Sequence, residues 1–419
     1  MASLWSSEPS RRPDRASNAG RRGWAVKMDG INLVDPDLYE RGDPHAVWRW
    51  LRVHDPVHWH PPTHLPGFWA VTTYDNVRAV YRDYARFSSA AGILLRPDSH
   101  GRDPGGGRTL ALTDPPRHAE LRAVVDRWFA TTSVRALEPS MRSAAVQIVR
   151  DAVEQGSCDF VDDVAARLPL QVICTLMGVP EPDHEAMFAM TSRAFGAGSA
   201  EDRSAAHFEI LQYFEALVAD RTRRPGDDLV SALATARVGG RRLSVDEALL
   251  NCDNLIVGGT ENVRLAAAGG TLALMDNPDQ WALLRRQPGL VRGAIEEILR
   301  WTSPATHIMR TATAPVVLDG RRIAAGDRVT LWNPSANRDD AVFPDPDRFD
   351  VRRSPNRHLS LGSGEHLCIG GLLARVELRI LFEELAAQVA RFEPDGRATR
   401  LRSVVVNGLE RLPVRLTAA

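Results

Sequence analysis

Cysteine, lysine and long apolar runs are all scarce in this chain of 419 residues. It contains four cysteines, none of them in a CxxC spacing, and Lys27 is the only lysine. This cysteine usage argues against a disulfide framework and against a structural zinc site. No apolar run approaches the roughly 20 residues that span a membrane. The formal net charge of −1 gives no electrostatic reason to bind nucleic acid or an anionic membrane. These absences favour a cytoplasmic protein with neither kind of partner.

The first 27 residues differ in composition from the rest of the chain. They are polar, rich in Arg, Ser and Pro, and they lack the apolar segment of a secretory signal. We therefore predict a disordered N-terminal extension over residues 1–27 and a single domain over residues 28–419.

Helical patterns dominate after residue 28, and short strands are expected near both ends, so the predicted fold class is mainly α with small β-sheets. Asp114 precedes "PPRHAELRAVVDRWF" and is predicted to be a helix N-cap. Residues 87–109 are rich in Gly and Pro and predict a long loop, which at that length is usually functional. Further helices are predicted over 75–84, 141–156, 168–177, 184–195, 207–224, 246–275, 288–301 and 370–392, and strands over 306–312, 316–318 and 328–331.

The stretch "HLSLGSGEHLCIGG" places Cys368 in a glycine-rich loop just before a predicted helix. A cysteine thiolate can bind a haem iron axially, and Gly362, Gly364 and Gly370 would allow both the close approach of backbone N–H groups to the sulfur and unusual backbone torsions. The helix N-terminus would stabilise the negative charge. Two alternatives stay open from the loop alone: a free core cysteine, or a nucleophile for which His366 offers only a weak partner base.

Three motifs identify a family. "LGSGEHLCIG" matches the cytochrome P450 signature FGxGxHxCxG at every place but the first, where Leu361 stands. The family's ExxR motif occurs as Glu297 to Arg300, and its PERF-like segment occurs as "PDRF", which contains Arg348. The chain therefore resembles cytochrome P450s over essentially all of residues 28–419. The resemblance implies a triangular helical domain that holds haem b between a long central helix and the cysteine-loop helix, with Cys368 binding the iron.

The resemblance also implies how the chain holds the cofactor. Glu297, Arg300 and Arg348 are expected to form a buried network beneath the haem, since a guanidinium fork pairs well with a carboxylate. The haem-binding residues that it implies are His118, Arg122, Arg310 and His366 at the propionates, and Gly362 and Gly370 beside Cys368.

The segment "NLIVGGTENVRLAAAGG" resembles the family's central helix, which crosses the oxygen-binding side. Gly258 and Gly259 would thin this helix, and Glu261 matches the family's acid. Asn262 stands where the family has threonine, whose hydroxyl orders water and assists proton delivery. An amide donates and accepts hydrogen bonds but does not relay a proton as a hydroxyl does. Glu261 and Asn262 are the predicted catalytic residues, and the usual relay is in question.

We expect a bacterial monooxygenase that inserts one oxygen atom of O2 into a small or medium organic substrate, by analogy in secondary metabolism. Alternatives are oxidative coupling, a peroxide-driven reaction, or a silent homologue that activates a partner. The 419 residues contain no reductase domain, so electrons are expected from NAD(P)H through ferredoxin and ferredoxin reductase; a monomer is expected. Arg352, Arg353 and Arg357 either help to dock an acidic ferredoxin or form a solvated face. The predicted substrate-pocket residues are Ile93, Leu94, Asn254, Val257, Gly258, Ala305, Thr306, Val405 and Val406.

Overall fold

Helices account for most of the regular structure, and the longest has 32 residues. The protein is described by a computed structural model over residues 30–95, 103, 105–195 and 200–419. Leu33–Ala419 forms one compact unit. Of residues 1–32, only residues 30–32 are described. The predicted N-terminal extension over residues 1–27, and the predicted boundary at residue 28, lie outside the described residues.

The described part of the chain contains fourteen α-helices. They are α1 (Pro36–Glu40), α2 (Pro44–His54), α3 (Tyr74–Arg82), α4 (Arg117–Phe129), α5 (Thr131–Gln155), α6 (Arg167–Met177), α7 (His184–Phe195), α8 (Ala200–Arg223), α9 (Leu229–Thr235), α10 (Val245–Asp276), α11 (Pro278–Arg286), α12 (Val291–Thr302), α13 (Asn333–Ala336) and α14 (Gly371–Gln388). Short 3₁₀ turns cover Glu181–Asp183 and Pro288–Leu290, and a π-helical turn covers Val161–Ala165.

The strands are short, and most of them lie towards the two ends of the chain, while three of them, between residues 157 and 242, lie in its middle. They are β1 (Val57–His60), β2 (Phe68–Val71), β3 (Phe87–Ser88), β4 (Ser157–Asp159), β5 (Arg237–Val238), β6 (Arg241–Arg242), β7 (Ile308–Ala312), β8 (Val316–Leu318), β9 (Arg321–Ile323), β10 (Arg328–Leu331), β11 (Val389–Pro394), β12 (Thr399–Arg400), β13 (Leu409–Arg411) and β14 (Pro413–Ala418). The largest sheet has the order β1-β2-β10-β7-β3, in which only β2 and β10 are parallel. A second sheet has the order β11-β14-β4, and the other strands form two-stranded ribbons.

Helix α10 begins with a capping box. The Ser244 hydroxyl accepts the N–H of Glu247 at 3.2 Å, and the Glu247 carboxylate accepts the N–H of Ser244 at 2.9 Å, so two end groups of the helix are satisfied. The helix packs against α6, α8 and α12. A Cβ at Gly270 would lie 2.7 Å from Ile298 of α12, so glycine allows these two helices to approach closely. This packing brings the ExxR helix beside the central helix.

Three local predictions differ from the structure. Helix α5 begins at Thr131, before the predicted residue 141, and α14 ends at Gln388, after which the chain continues as β11. Asp114 is not the N-cap of α4, which is Pro116. Proline lacks the N–H that a cap would bind, and the Asp114 carboxylate instead accepts the N–H of Ser89 at 2.8 Å.

Glu297 and Arg300 form a fully buried ion pair on α12. The guanidinium donates to both carboxylate oxygens at 2.7 Å, and both side chains are 0% exposed. Arg300 also donates to the carbonyls of Asn337 and Pro346, each at 2.9 Å. One buried pair on a helix therefore holds a long irregular segment that leads towards the cysteine loop.

The second arginine of this network is Arg353, so the prediction of Arg348 was wrong. The Arg348 side chain is 62% exposed and lies 3.9 Å from Asp350; only its backbone carbonyl accepts from Arg300. Arg353 is 9% exposed and contacts Glu297 at 3.1 Å, and Asn356 donates to the same carboxylate at 3.0 Å. The side chain of Arg353, which follows "PDRF" in the sequence, points inward to Glu297, whereas that of Arg348 within "PDRF" points outward.

The two arginines give a matched pair of variants. Arg353→Ala is expected to lower the free energy of unfolding by about 3 kcal/mol, because it removes a partner from a buried carboxylate. Arg348→Ala is expected to change it by less than about 0.5 kcal/mol, as exposed substitutions usually do. Urea unfolding of the haem-loaded proteins, followed by circular dichroism, measures both values. Equal losses in the two variants would contradict the assignment of Arg353.

Candidate active site

A cavity lies between the cysteine loop and helix α10. It contains about 1350 Å³ of empty space, part of it open to solvent. Cys368 lies in one wall and Asn262 in another. The lining is mostly apolar, with a few amide and hydroxyl groups from Asn254, Asn333 and Ser360. Large apolar cavities with a few converging polar groups are typical of cofactor and ligand sites.

The cysteine loop is a tight turn held by its own backbone. The N–H of Cys368 donates to the carbonyl of Leu361 at 2.9 Å, and the N–H of Leu367 donates to Gly364 at 3.0 Å. Gly362 and Gly364 have φ of +74° and +77°, a region that favours glycine. A Cβ at Gly364 would lie 2.8 Å from the Tyr81 carbonyl oxygen. Gly370 has an ordinary φ of −80°, so the expectation of unusual torsion there was wrong.

The Cys368 thiol faces the cavity, unlike the three other cysteines, which are buried. Burial by the surrounding protein raises the pKa of the Cys368 thiol, and a hydrogen bond from Gly370 opposes that rise. In the protein alone the thiol is therefore protonated at neutral pH. A thiol that coordinates a metal gives up its proton to solvent, because the metal stabilises the thiolate, so this site would suit a thiolate ligand once a metal is bound.

Cationic and imidazole side chains gather at one edge of the cavity. Arg310 is 4% exposed, and the only hydrogen bond of its guanidinium within the described chain goes from Nη1 to the carbonyl of Met309 at 2.9 Å. His366 lines the same cavity, and the rings of His366 and His118 lie 4.2 Å apart. Burial and the nearby Arg310 lower the pKa of His366 to about 3. Such a group of positive and imidazole side chains calls for an anion.

Two of the four predicted propionate ligands do not line the cavity. His118 is 2% exposed behind His366, and its Nδ1 has no hydrogen-bond partner among the described residues. Arg122 Nη1 donates to the carbonyl of Leu367 at 2.8 Å, and its Nε lies 3.3 Å from Asp126. Arg122 thus braces the cysteine loop, while Arg310 and His366 face the open space.

Helix α10 supplies the opposite wall through Asn254, Gly258, Gly259 and Asn262. A Cβ at Gly258 would meet no atom within 4 Å, so glycine there leaves room in the cavity. The Asn262 side chain makes no hydrogen bond to another described residue. Its amide is therefore free to bind water or substrate.

Glu261 does not line this cavity. It is the neighbour of Asn262 on α10, so its side chain points about 100° away around the helix. It is 6% exposed. Arg264 donates to both of its carboxylate oxygens, at 2.5 and 3.0 Å, in a smaller pocket behind the helix that Asp162 and Thr191 also line. The structure thus brings Asn262 to the cavity and leaves Glu261 in a buried ion pair; a catalytic role for Glu261 stays a prediction.

Four of the predicted substrate-pocket residues line the cavity, namely Ile93, Asn254, Gly258 and Ala305. The other five do not, namely Leu94, Val257, Thr306, Val405 and Val406. Adjacent residues in an extended chain point to opposite sides, and adjacent helical residues lie about 100° apart. Thr306 is 0% exposed and donates its N–H to the Val405 carbonyl at 3.0 Å. Val406 pairs with Ala305, so both valines support the wall from behind.

Tyr81 and Asn333 line the cavity but were not predicted. The Tyr81 hydroxyl donates to the Asn333 side-chain oxygen at 3.0 Å, and burial raises the pKa of Tyr81 to about 12. No motif marks either residue, since each comes from a segment that reaches the site only through folding. For Arg353 and Asn356 a signal existed, because "RRSPNRH" carries both polar residues just before the cysteine loop.

The residues of this cavity fit a haem. A single exposed thiol faces the wall from which Asn262 projects, and a buried arginine without a carboxylate partner stands at the edge. Cys368 would hold the iron, and Arg310 and His366 would face the propionates. His118, whose Nδ1 has no partner among the described residues, lies behind His366.

Comparisons with known proteins agree with this geometry. The family described as Cytochrome P450 matches residues 199–393. Cytochrome P450 NovI of Streptomyces niveus is 36% identical over 396 residues, which cover 93% of this chain and 97% of that protein. Steroid C26-monooxygenase of Mycobacterium tuberculosis is 37% identical over 402 residues, which cover 92% of this chain and 97% of that protein.

Solved structures give the same result. The crystal structure of P450 OxyD, which is involved in the biosynthesis of vancomycin-type antibiotics, matches with a TM-score of 0.88 and 37% identity. The match covers 93% of this chain and 100% of that one. Fold and site together define a haem-thiolate oxidoreductase. The chain belongs to the cytochrome P450 family and is a monooxygenase of that family.

No helix in the described part of the chain is long and apolar enough to cross a membrane.

Cys368→Ser tests the ligand. Loss of the thiolate is expected to abolish the red-shifted Soret band of the reduced carbon monoxide complex, because only a thiolate ligand donates enough charge to produce it. Cys158→Ser is the matched control, since Cys158 is buried in β4 away from the cavity, and it should keep the band. A Cys368→Ser protein with an intact band would show that another residue binds the iron.

Proposed function

We propose that this cytochrome P450 inserts one oxygen atom of O2 into a small or medium organic substrate, by hydroxylation or epoxidation, in bacterial secondary metabolism. The observation that carries the proposal is the placement of Cys368 and Asn262 on different walls of one largely apolar cavity. The involvement of P450 OxyD in vancomycin-type antibiotic biosynthesis supports the metabolic setting.

When bound, the haem supplies dioxygen activation and oxygen-atom transfer. The protein supplies orientation and control of water. Ile93, Ala305 and Ile308 offer apolar contact to a substrate, and Asn254 offers an amide that can bind a polar substituent. Gly258 leaves space between the helix and the cofactor. The mixture favours a partly polar molecule over a plain hydrocarbon.

Asn262 is the residue of this wall that bears on how protons are supplied to the reaction. Its amide can hold a water in the cavity by donating and accepting hydrogen bonds. The acid on the same helix, Glu261, is bound to Arg264 through both oxygens, so it reaches the cavity only if that pair opens. The substrate's own hydroxyl is the second source of a relay. The presence of Asn262 in place of the family's threonine favours, as an alternative function, oxidative coupling or a peroxide-driven reaction.

We also propose that electrons come from NAD(P)H through a separate ferredoxin and ferredoxin reductase. Arg352 and Arg357 are exposed beside the cysteine loop and suit an acidic partner. Arg353 does not belong to this surface, because its side chain is 9% exposed and bound to Glu297.

The reaction class is tested with isotopically labelled dioxygen. Compounds that shift the haem spin state are first selected from a panel of bacterial secondary metabolites and then turned over with NADPH, a ferredoxin and its reductase. Monooxygenation places one labelled atom in the product and the other in water. Product without the label, or product formed only when peroxide replaces the reductase, would favour the alternative function.

Substitution of Asn262 tests the water-binding role. Asn262→Ala is expected to raise the ratio of peroxide to product while NADPH consumption continues, because the cavity loses its free amide. Asn262→Thr should retain or lower that ratio, since a hydroxyl relays protons. The ratio is measured from peroxide, product and NADPH in one reaction.

Asn254→Ala serves as the control, since it removes an amide from the same wall two turns earlier. It is expected to raise KM without changing the peroxide-to-product ratio. If both Asn262 variants keep the wild-type ratio with every substrate, Asn262 has no part in proton supply.

A further inference from the structure

His307 is a buried histidine that no part of the proposed chemistry uses. It is 0% exposed and immediately precedes strand β7. Its ring packs 5.3 Å from the Trp332 ring and does not line the cavity. The segment around it does line the cavity, through Ala305, Ile308 and Arg310. His307 thus lies just behind the substrate wall.

The imidazole joins two distant segments through their backbones. The N–H of Leu95 donates to Nε2 at 3.0 Å, and Nδ1 lies 3.0 Å from the carbonyl oxygen of Val404. An N–H can only donate and a carbonyl can only accept, so the ring carries its proton on Nδ1. Burial lowers the pKa of His307 to about 4, which keeps the ring neutral and leaves Nε2 free to accept.

One of these two segments contributes to the cavity wall, and the other supports that wall from behind. Ile93, two residues before Leu95, lines the cavity, and its carbonyl accepts the N–H of Met309 at 2.7 Å. On the other side, the chain beyond Val404 pairs with residues 304–306 through Thr306 to Val405 at 3.0 Å and Asn407 to Pro304 at 2.7 Å. His307 is the side chain that bonds to both segments at once.

The two segments bound by His307 differ in the other hydrogen bonds that hold the backbone group it contacts. Val404 belongs to a turn that already has backbone bonds at Val405 and Asn407. Leu95 is 2% exposed, and its N–H would lose its partner without the imidazole. A buried donor without a partner is costly, so the segment would shift to find one. The position of Ile93 at the cavity therefore depends on two bonds, that of its own carbonyl with the N–H of Met309 and that of Leu95 with Nε2.

We propose that His307 is a positioning residue that sets the shape of the substrate wall, by holding the loop at Leu95 and the turn at Val404 in fixed relation to β7. It touches neither substrate nor cofactor. The proposal needs a haem in the cavity but not the substrate class or reaction given above, so its test can fail without affecting them.

Two haem ligands of different size test the proposal on the haem-loaded protein without turnover. Imidazole binds the iron and is too small to meet the wall. Clotrimazole binds through the same kind of nitrogen but carries three aryl rings that fill the cavity. Dissociation constants for both come from the Soret shift. His307→Phe is expected to weaken clotrimazole about tenfold, the loss that corresponds to about 1.4 kcal/mol, and to change imidazole by less than about twofold.

Two conservative variants separate the two hydrogen bonds. In His307→Gln the amide oxygen takes the place of Nε2 and can accept from Leu95, so clotrimazole binding should stay near the wild-type value. In His307→Asn the amide nitrogen takes the place of Nδ1 and can donate only to Val404, so binding should weaken nearly as much as with phenylalanine. This pair decides the question even if the phenylalanine variant does not fold.

His60 provides the matched control. It is 1% exposed, accepts the N–H of Leu33 at 3.1 Å through Nε2, and lies 2.9 Å from the Pro61 carbonyl through Nδ1. It is the same kind of buried bridge away from the cavity. His60→Phe should lower the urea midpoint and leave both dissociation constants unchanged.

Three results with the His307 variants, and one with the control, would overturn the proposal. His307→Phe binds clotrimazole as tightly as the wild type; it weakens imidazole by the same factor as clotrimazole; or the glutamine and asparagine variants behave alike. Equal weakening of clotrimazole by His60→Phe would also overturn it, because the effect would then follow from lost stability alone.

Discussion

The position of the cysteine loop depends on one buried carboxylate. The loop contains no helix or strand. The chain that leads to the loop is held by groups that hydrogen-bond to Glu297. Arg300, Arg353, Asn356 and the N–H of Asp350 all donate to this carboxylate. Burying a charge costs free energy unless its hydrogen bonds are fully made. Each of these donors therefore contributes to the stability of the buried carboxylate, and together they hold the segment that leads to the loop.

A second set of hydrogen bonds, centred on Asn337, connects this network to the cysteine loop. The carbonyl of Asn337 accepts from Arg300, and its side-chain oxygen accepts the N–H of Leu359 at 2.7 Å. Its amide nitrogen donates to Ser360 at 2.8 Å, and the Ser360 hydroxyl donates to the carbonyl of Leu299 at 2.6 Å. The cysteine loop starts at these residues. The chain of bonds from α12 to Leu361 thus fixes where the thiol enters the cavity.

Much of this site could be predicted from the sequence. Cys368, Glu297 and Arg300 lie in short motifs whose spacing is local, and Arg310 and His366 follow from their distance to those motifs. Arg348 was wrongly predicted because a motif does not encode which of several nearby arginines turns inward; Arg353 does so after the chain reverses. Leu94 and Thr306 failed for another reason. Each is the neighbour of a true lining residue, Ile93 or Ala305, and the phase of an extended segment depends on its pairing partner.

The role of His307 lies beyond sequence reasoning. Leu95 and Val404 are separated from it by 212 and 97 residues, and only the folded chain brings both backbones to one imidazole. Asn262 is the opposite case, since its place on α10 could be predicted, while its freedom from other hydrogen bonds could not. Local motifs therefore located the chemistry, and tertiary contacts decide the shape of the space around it.

The central claim is that this cavity holds a haem whose iron is bound by Cys368. A crystal structure of the haem-loaded protein, with anomalous scattering recorded at the iron absorption edge, tests it most directly. The account predicts an iron peak bonded to Sγ of Cys368, with the propionates directed towards Arg310 and His366. An iron peak bonded to any other side chain, or propionates directed away from Arg310, would contradict it.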